Sequence, residues 1–154
     1  MWAREKEFEP VLTSAAVRFG VPAWVVMATA AKESSFDPRA FTGSRGLMQL
    51  EILTARDRGY TGPVGDDTTR TGGLYDPAVS AEFGTRHLAW LRRRYPDQPW
   101  DAIYAAYNTG AIHVDQSGRF TNSKGDPKVQ KHVVQWRAAA DYFRPGWRAT
   151  DPGG

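Results

Sequence analysis

The stretch that decides the fold is residues 24–50, WVVMATAAKESSFDPRAFTGSRGLMQL. Residues 24–32 are apolar on almost every side, which is typical of a helix buried at the centre of a domain. Pro22 suits the first turn of that helix, and residues 33–35 (Glu-Ser-Ser) mark its end. The stretch therefore predicts a buried helix whose last turn carries a carboxyl group.

Outward from this helix, apolar residues recur at helical spacing along most of the chain. Gly20 ends the preceding helix, and Asp76 with Pro77 gives the next long helix an N-cap and a first position. Residues 61–73, rich in Gly, predict a cleft-edge loop or a small hairpin, and residues 115–127 predict a second loop. Strand signals are weak, so the fold class is mainly α with at most a small hairpin. Helices are predicted at residues 8–19, 24–33, 45–58, 77 onwards, 99–108 and 127–143.

The composition is that of an ordinary globular chain. Its 154 residues are 41% hydrophobic and 24% charged, which disfavours disorder and suits a single domain over residues 1–154. The absence of cysteine excludes disulfides, thiolate metal sites and cysteine nucleophiles. Residues 119–148 carry seven basic and two acidic side chains. They predict either an anionic partner, such as a wall polymer, a lipid headgroup or a nucleic acid, or a solvated helix face.

Glu33 is the residue whose position suggests chemistry. It lies at the C-terminal end of the most apolar helix, where partial desolvation and the negative helix terminus both disfavour an ionised carboxylate. Both effects raise its pKa, and a carboxylic acid that is still protonated near neutral pH can donate its proton to a leaving oxygen. Position alone leaves Glu33 either a general acid or a surface glutamate at a helix end.

Four sequence blocks, taken together, resemble the soluble lytic transglycosylase (SLT) and goose-type lysozyme superfamily. They are residues 33–40 (ESSFDPRA), 46–50 (GLMQL), 74–77 (LYDP) and 105–110 (AAYNTG). Each block alone is weak evidence, whereas four in the family's order over residues 21–114 are specific. The resemblance implies a lysozyme-like helical fold and a catalytic domain that degrades peptidoglycan.

The chain departs from the family pattern beside this predicted site. The loop over residues 40–46 is shorter than usual, and Thr42 stands where the family usually has Ser. Ile52 replaces a common Pro, Ser80 a frequent Asn, and residues 111–112 a frequent Pro-Gly. None of these changes removes the acid, but the shorter loop can reshape the cleft next to it.

The resemblance implies muramidase chemistry at the β-1,4 bond between N-acetylmuramic acid and N-acetylglucosamine. Glu33 protonates the glycosidic oxygen and then, as a base, assists attack by the muramoyl C6 hydroxyl, which yields a 1,6-anhydro product. One carboxyl group then suffices, and no cofactor is implied. The alternative is hydrolysis, in which Asp66 or Asp67 supplies a second carboxylate, unless these residues only cap a turn. Glu51 is not expected to face the cleft together with Gln49, because both are assigned to one helical turn.

Matching motifs also assign substrate-binding residues. The predicted set is Ser34, Thr42, Met48, Gln49, Tyr107 and Asn108. Met48 and Gln49 would line the cleft, although Met48 is equally compatible with core packing. Tyr107 would place its hydroxyl near Glu33 unless it only fills the core. Ser34 would either touch sugar or cap the helix end.

The three histidines, His87, His113 and His132, lack metal-ligand spacing, so the sequence predicts no metal site. His87 lies on an apolar helix face and is predicted to be a partly buried residue with its hydrogen bonds satisfied. The sixth helix predicts docking on the anionic wall or on outer-membrane lipopolysaccharide, or else ordinary packing. Its basic residues are Lys128, Lys131, Arg137, Arg144 and Arg148.

The N-terminus alternates charges, and no segment approaches the ~20 apolar residues that span a bilayer. Without a signal, an anchor or a separate wall-binding domain, the chain is predicted to be a bacteriophage endolysin that is made in the host cytoplasm and released to the cell wall. A tail-associated lysin and a secreted effector are the alternatives. It is expected to act on peptidoglycan as a monomer, and no feature requires a nucleic acid. The alternative from another class is an inactive wall-binding or virion structural module.

Overall fold

The computed structural model describes residues 2–147, and this part of the chain is mainly helical, as predicted. Six α-helices and one two-stranded antiparallel sheet are formed within that range. The helices are α1 (Glu5–Phe19), α2 (Ala23–Ser34), α3 (Ile52–Asp57), α4 (Pro77–Arg94), α5 (Trp100–Thr109) and α6 (Lys128–Phe143). The strands are β1 (His113–Val114) and β2 (Phe120–Thr121), and a single 3-10 turn covers Gly73–Tyr75. Arg148, one of the predicted docking residues, lies outside the described residues.

Helix α2 lies at the centre of the fold, packed against α1 and α6. Its apolar sequence explains this position, because seven of its residues are buried, from Val25 to Ala31. Thr29, which is fully buried, accepts a hydrogen bond from Trp136 Nε1 on α6 at 3.1 Å and donates one to the Val25 carbonyl at 2.8 Å. The buried polar atoms of this contact are therefore paired across the two helices.

Helices α5 and α6 are joined by an ion pair whose carboxylate is buried and whose guanidinium is partly exposed. Asp101 in the first turn of α5 is 1% exposed. Its Oδ2 atom accepts hydrogen bonds from Nε and Nη2 of Arg137 at 2.9 and 2.7 Å. Arg137 is thus committed to the scaffold, so its guanidinium is not free to serve the predicted anionic docking face of α6.

The end of α2 turns sharply through two left-handed residues. Ser35 (φ 52°) caps the helix and Phe36 (φ 61°) follows it. Left-handed backbone is costly for residues with a Cβ, so the surrounding packing must hold this turn. The Phe36 ring is fully buried and makes edge contacts with Trp2 and Phe143, whose rings stack on each other with centroids 5.5 Å apart.

The segment after this turn contradicts the predicted helix over residues 45–58. Only Ile52–Asp57 is helical, and the preceding residues form tight turns closed by the bridges Phe41–Arg45 and Arg45–Leu50. The cause is backbone handedness, because Gly46 (φ 83°) and Gln49 (φ 51°) are both left-handed. A side chain at residue 46 would also collide with the Leu74 carbonyl.

The small hairpin lies at β1 and β2, where His113 pairs with Thr121 and Val114 with Phe120. Residues 61–73 form a loop closed by one isolated bridge between Asp66 and Thr71. A small hairpin is therefore present, as the sequence allowed. It overlaps the second polar loop, over residues 115–127, and not residues 61–73, where the sequence analysis allowed for it.

Candidate functional site

A groove of about 390 Å³ opens at the C-terminal end of α2. Its walls come from the end of α2, from the turns that precede α3, and from α4, α5 and α6. The groove is lined by Lys32, Glu33, Thr42, Ser44, Gln49, Leu50, Glu51, Thr54, His87, Tyr107, Asn108 and His132. Four of the six predicted substrate-binding residues thus share one groove with the predicted acid.

Glu33 lies in this groove with an acid strength suited to proton transfer. Desolvation by the surrounding protein raises the pKa of its carboxyl group from 4.5 to about 7, while the positive charge of Lys32 and the hydroxyl of Tyr104 act in the opposite direction. A carboxyl group with this pKa is substantially protonated at neutral pH. It can therefore act as a proton donor and, once ionised, as a base.

Two tyrosines of α5 flank the acid. The Tyr107 hydroxyl donates a hydrogen bond to the Met48 carbonyl at 2.5 Å. The Tyr104 ring stacks beside Tyr107 with centroids 6.2 Å apart. The Tyr104 hydroxyl makes no hydrogen bond of ordinary length with the described residues, although it faces the side chains of Glu33 and Asn108 closely enough to interact with both. The sequence prediction assigned the position near the acid to Tyr107 alone.

Thr42 and Gln49 form the polar wall opposite α5. The Thr42 hydroxyl donates to Gln49 Oε1 at 2.8 Å. Gln49 Nε2 donates to the carbonyls of Ala40 and Gly46, both at 3.0 Å. The carboxamide is therefore held in one orientation, and the left-handed backbone of Gln49 is stabilised by its own side chain. A sugar in the groove would meet a preformed surface here.

Met48 and Ser34 do not line the groove. Met48 is fully buried, and a methyl group added at Gly84 would lie 2.5 Å from its sulfur, so the two residues are closely packed. The Ser34 hydroxyl donates to the carbonyls of Leu47 and Ala30 at 2.6 and 3.1 Å. Both residues therefore position the turn that carries Gln49, and direct contact with substrate stays a prediction for them.

Glu51 lines the groove together with Gln49, contrary to the expectation that the two side chains would not face the cleft together. The prediction placed both residues in one helical turn, where their side chains would diverge. In the structure residue 51 is extended (φ −80°, ψ 149°) and precedes α3. Because Gln49 is left-handed and Glu51 is extended, the two residues do not share a helical turn, and both side chains reach the groove. The groove therefore holds a second carboxyl group that the sequence analysis had dismissed.

Asp66 and Asp67, the predicted second carboxylates, lie outside this lining. Asp67 accepts hydrogen bonds from Arg45 Nε and Nη2 at 2.7 and 2.8 Å and from the Tyr75 hydroxyl at 2.6 Å. The Arg45 guanidinium, and after it the Tyr75 hydroxyl, lower the pKa of Asp67 to about 2. Asp66 Oδ1 accepts from the backbone N–H groups of Thr68 and Thr69. Both carboxylates are thus engaged in holding the loop.

His87 lies in the groove wall and is only partly as predicted. It is half-buried, and its ring stacks on Trp90 with centroids 6.1 Å apart. Its Nδ1 atom is buried and has no hydrogen-bond partner among residues 2–147, so the expectation that its hydrogen bonds are satisfied is wrong. Desolvation, reinforced by the charge of Arg58, lowers its pKa to about 4 and keeps the ring neutral. Among the described residues no group of three or more His, Asp or Glu is arranged to hold a metal ion.

Thr54 and His132 also line the groove, although neither is predicted from the sequence. Thr54 lies one helical turn after Glu51, so correct placement of the start of α3 would have found it. His132 reaches the groove only because α6 packs on α2, and nothing in the local sequence around it signals that approach.

Comparison with known proteins gives consistent similarities. The family model described as the transglycosylase SLT domain matches residues 10–130. The membrane-bound lytic murein transglycosylase F of Desulfosudis oleivorans is 31% identical over 135 residues, which cover 82% of this chain and 27% of the relative. The membrane-bound lytic murein transglycosylase C of Haemophilus influenzae is 34% identical over 118 residues, covering 70% of this chain and 32% of the relative.

A solved structure has the same fold. The lytic transglycosylase Slt of Pseudomonas aeruginosa, in an inactive mutant form, matches 93% of this chain and 25% of its own with a TM-score of 0.68 and 20% sequence identity. The lysozyme-like helical fold expected from the sequence is thereby confirmed. The chain spans about a quarter to a third of the length of these proteins. No helix within residues 2–147 is long and apolar enough to cross a bilayer.

Proposed function

The chain belongs to the transglycosylase SLT family, and on that premise we propose that it cleaves the β-1,4 bond between N-acetylmuramic acid and N-acetylglucosamine in peptidoglycan. The observation that carries the proposal is a single one: Glu33 lines the groove, and burial keeps its carboxyl group protonated near neutral pH. Such a group supplies the proton that the leaving sugar oxygen requires.

In the proposed reaction Glu33 first donates its proton to the glycosidic oxygen, and the bond from that oxygen to the muramoyl C1 breaks. The carboxylate left behind then accepts the proton of the muramoyl C6 hydroxyl as this oxygen bonds to C1. The products are a 1,6-anhydromuramoyl end and a free N-acetylglucosamine hydroxyl, and Glu33 ends protonated again. Desolvation therefore serves both steps, because a pKa near 7 suits an acid and a base equally.

The remaining groove residues position the strand. Thr42 and Gln49 offer a polar wall whose hydrogen bonds already hold it in place. Asn108 and Tyr107 line the other wall, and the hydrogen bond from Tyr107 to the Met48 carbonyl fixes the distance between the walls. We propose that sugar rings bind between these two surfaces.

Hydrolysis by a water molecule is the alternative, and Glu51 favours it specifically. An inverting or retaining hydrolase uses two carboxyl groups, and Glu51 is the other acidic side chain in the lining of this groove. If water is the nucleophile, we propose that Glu51 assists, in place of Asp66 or Asp67, whose carboxylates hold the loop over residues 61–73.

The test is to digest purified peptidoglycan and analyse the soluble fragments by mass spectrometry. The wild-type protein should release 1,6-anhydromuropeptides, which lack one water relative to hydrolytic products. Glu33→Gln should reduce release by ~10²–10⁴-fold, the usual contribution of general acid–base catalysis, while Glu51→Gln should have little effect. Hydrated products that disappear with Glu51→Gln would replace this mechanism by hydrolysis. Binding of peptidoglycan without any released fragment would instead favour an inactive wall-binding or virion structural module.

The pH profile provides an independent test of the assignment of Glu33. Because its pKa is about 7, the fraction able to donate a proton falls above that pH, and kcat/KM should fall with it. A basic limb that lies two or more pH units higher would mean that another group supplies the proton.

We further propose that residues 1–154 act as one catalytic domain, since buried residues from Phe8 to Trp147 share one hydrophobic core. As its biological use we propose lysis of bacterial cells, as by a phage endolysin that is made in the host cytoplasm. Purified protein should clear a suspension of permeabilised Gram-negative cells, and Glu33→Gln should not. Release of fragments without clearing would contradict the lytic role.

Contact with an anionic envelope lipid or lipopolysaccharide remains a proposal for the exposed face of α6. Lys128 and Lys131 are exposed there, next to Val134, which is 51% exposed. Lys128→Gln with Lys131→Gln should weaken binding to lipopolysaccharide vesicles and make it less dependent on salt. Unchanged binding would show that this face has only a packing role.

A further inference from the structure

A second cavity, of about 280 Å³, continues the groove away from Glu33. Five residues line both spaces, namely Glu51, Thr54, His87, Tyr107 and Asn108. The cavity adds Arg58, at the end of α3, and Trp90, on α4, to the surface that a bound strand would meet. Substrate that fills the groove beyond the acid would therefore reach these two side chains.

Arg58 is a half-buried cation without a counter-ion. Its guanidinium carbon lies 3.9 Å from the centroid of the Trp90 ring, so the planar group rests on the indole face. The guanidinium makes no ion pair or hydrogen bond with residues 2–147, and its Nε atom is buried without a partner. Desolvation lowers the pKa of Arg58. The charge of Asp57 acts to raise this pKa, and the charge of Arg93 acts to lower it further.

Acidic and basic side chains both surround this platform, because Glu51 and Asp57 line the cavity together with Arg58. Neither carboxylate forms an ion pair with Arg58 in the part of the chain that the structure describes. Arg58 and Trp90 also line a neighbouring cavity of about 360 Å³, together with Arg86 and Arg93. Arg86 is ion-paired with Glu82 at 2.9 Å, whereas Arg93 is exposed and has no ion pair among the described residues. The neighbouring His87 is neutral, so its ring contributes an uncharged wall. An anion that reaches Arg58 would therefore be attracted by the guanidinium groups of Arg58 and Arg93, against the opposing charges of Asp57 and Glu51.

A half-buried guanidinium loses hydration that only a hydrogen-bonding anion restores fully. The planar fork of arginine matches a carboxylate with two parallel hydrogen bonds. The indole face below it holds the fork in one orientation, which reduces the entropy lost on binding. This arrangement therefore suits a carboxylate better than an uncharged sugar ring.

We propose that Arg58, held on Trp90, binds a carboxylate of the peptide that the muramoyl residues of the substrate carry. The proposal rests on the proposed function, because it assumes that the substrate strand occupies the groove. The glycan itself has no charge while the lactyl carboxyl of each muramoyl residue is amide-bonded to its peptide, whereas the peptide has free carboxylates. Arg58 would thus make the enzyme prefer strands whose peptides have free carboxylates over the same strands with those carboxylates neutralised.

The experiment compares two substrates and two matched variants. The substrates are peptide-bearing peptidoglycan strands and the same strands after their peptide carboxylates have been converted to primary amides. Arg58→Gln removes the platform cation, and Arg4→Gln removes an equal charge from an exposed ion pair with Glu7 outside the groove. Arg58→Lys keeps the charge but not the fork, and it also serves if Arg58→Gln does not fold.

The wild-type enzyme should have a kcat/KM at least 10-fold higher on the strands with free carboxylates than on the amidated strands, as one charge-assisted hydrogen-bonded pair provides ~10- to 100-fold. Arg58→Gln should remove most of that preference and change kcat/KM on the amidated strands by less than about 2-fold. Arg58→Lys should keep part of the preference, and Arg4→Gln all of it.

Three outcomes would overturn the proposal. Equal cleavage of both strands by the wild-type enzyme would show that no peptide carboxylate is bound. An equal loss on both strands with Arg58→Gln would give Arg58 a structural role. Inhibition by inorganic phosphate, but not by free stem peptide at equal ionic strength, would indicate a phosphoryl ligand. Absence of any released fragment from either strand would contradict the proposed function instead, so the two failures are distinguishable.

Discussion

The groove differs from the contact between α2, α5 and α6 in whether its buried polar groups have hydrogen-bond partners. In the helix contact the buried Thr29 and Asp101 each have a partner on α6, Trp136 and Arg137 respectively. In the groove Glu33 is desolvated without a cation in contact. The Tyr104 hydroxyl, His87 Nδ1 and Arg58 Nε likewise have no hydrogen-bond partner of their own among the described residues.

This difference distinguishes the helix contact from the groove, and unpaired buried atoms also occur outside both, at Trp100 Nε1 and in the Arg92 guanidinium. Unpaired buried polar groups cost stability, so a protein keeps them where a ligand or a reaction needs them. The helix contact holds the walls in place, and the groove keeps its hydrogen-bonding capacity for substrate. Substitutions on the two sides should therefore change stability with opposite signs.

The largest effect is expected on the scaffold side. Asp101→Ala removes a buried carboxylate and leaves the partly exposed Arg137 guanidinium without its counter-ion. It should lower the free energy of unfolding by about 3–4 kcal/mol, because two hydrogen bonds between charged groups are lost. Urea unfolding would measure the loss. Replacing both partners, in Asp101→Asn with Arg137→Met, should cost clearly less. A double variant as unstable as the single one would show that packing, rather than the unpaired charge, dominates.

In the groove, substitution of Glu33 should raise the free energy of unfolding instead of lowering it. The pKa of Glu33 rises from 4.5 to about 7 on folding, so the carboxyl destabilises the folded state increasingly as pH rises between those values. Glu33→Gln removes this penalty. It should stabilise the protein by up to about 3 kcal/mol at about pH 8, and by almost nothing near pH 4. Thermal unfolding at both pH values measures it, and a gain that does not depend on pH would contradict the raised pKa.

A smaller loss is expected from Thr29→Val. The valine has nearly the same shape, but Trp136 Nε1 loses its acceptor within the core. The expected decrease in the free energy of unfolding is about 1–3 kcal/mol, the cost of an unsatisfied buried donor. Combining it with Trp136→Phe, which removes the donor, should show coupling in a double-mutant cycle, and strict additivity would argue against the hydrogen bond.

The smallest effect distinguishes the two regions most directly. Tyr104→Phe removes a hydroxyl that has no hydrogen bond of ordinary length, so stability should change by less than about 1 kcal/mol. The same hydroxyl lowers the pKa of Glu33, so its removal should move the basic limb of the pH–rate profile upward. A large loss of stability, or an unmoved limb, would show that Tyr104 belongs to the scaffold instead.

Five of the six helices could be predicted from the sequence, because periodicity and capping residues specify them locally. Gly20 is left-handed at the end of α1, and the Asp76 side chain caps α4 by accepting from the Ala78 N–H at 2.9 Å. The segment before α3 could not be predicted in this way. Its apolar pattern over residues 45–58 fits a helix, and only the left-handed backbone of Gly46 and Gln49 interrupts it.

The same local error decided which site residues were missed. If residues 45–51 are taken as helical, Gln49 and Glu51 are expected to diverge, so the sequence directs the search for a second carboxylate to Asp66 and Asp67 and away from Glu51. Glu33 and Tyr107 were found because short motifs carry them. Arg58 and Trp90 come from different helices and meet only through the packing of α3 on α4, for which the local sequence holds no signal.

The strained turn after α2 has a practical consequence for handling the protein. Phe36 lies three residues after Glu33. Its ring packs against the aromatic rings of Trp2 and Phe143, which support the left-handed turn. Trimming the chain before residue 3, or fusing a bulky tag at that point, would remove or displace a support of this turn. Preparations that differ only in their N-terminal cloning remnant could then differ in specific activity, although every groove residue is intact.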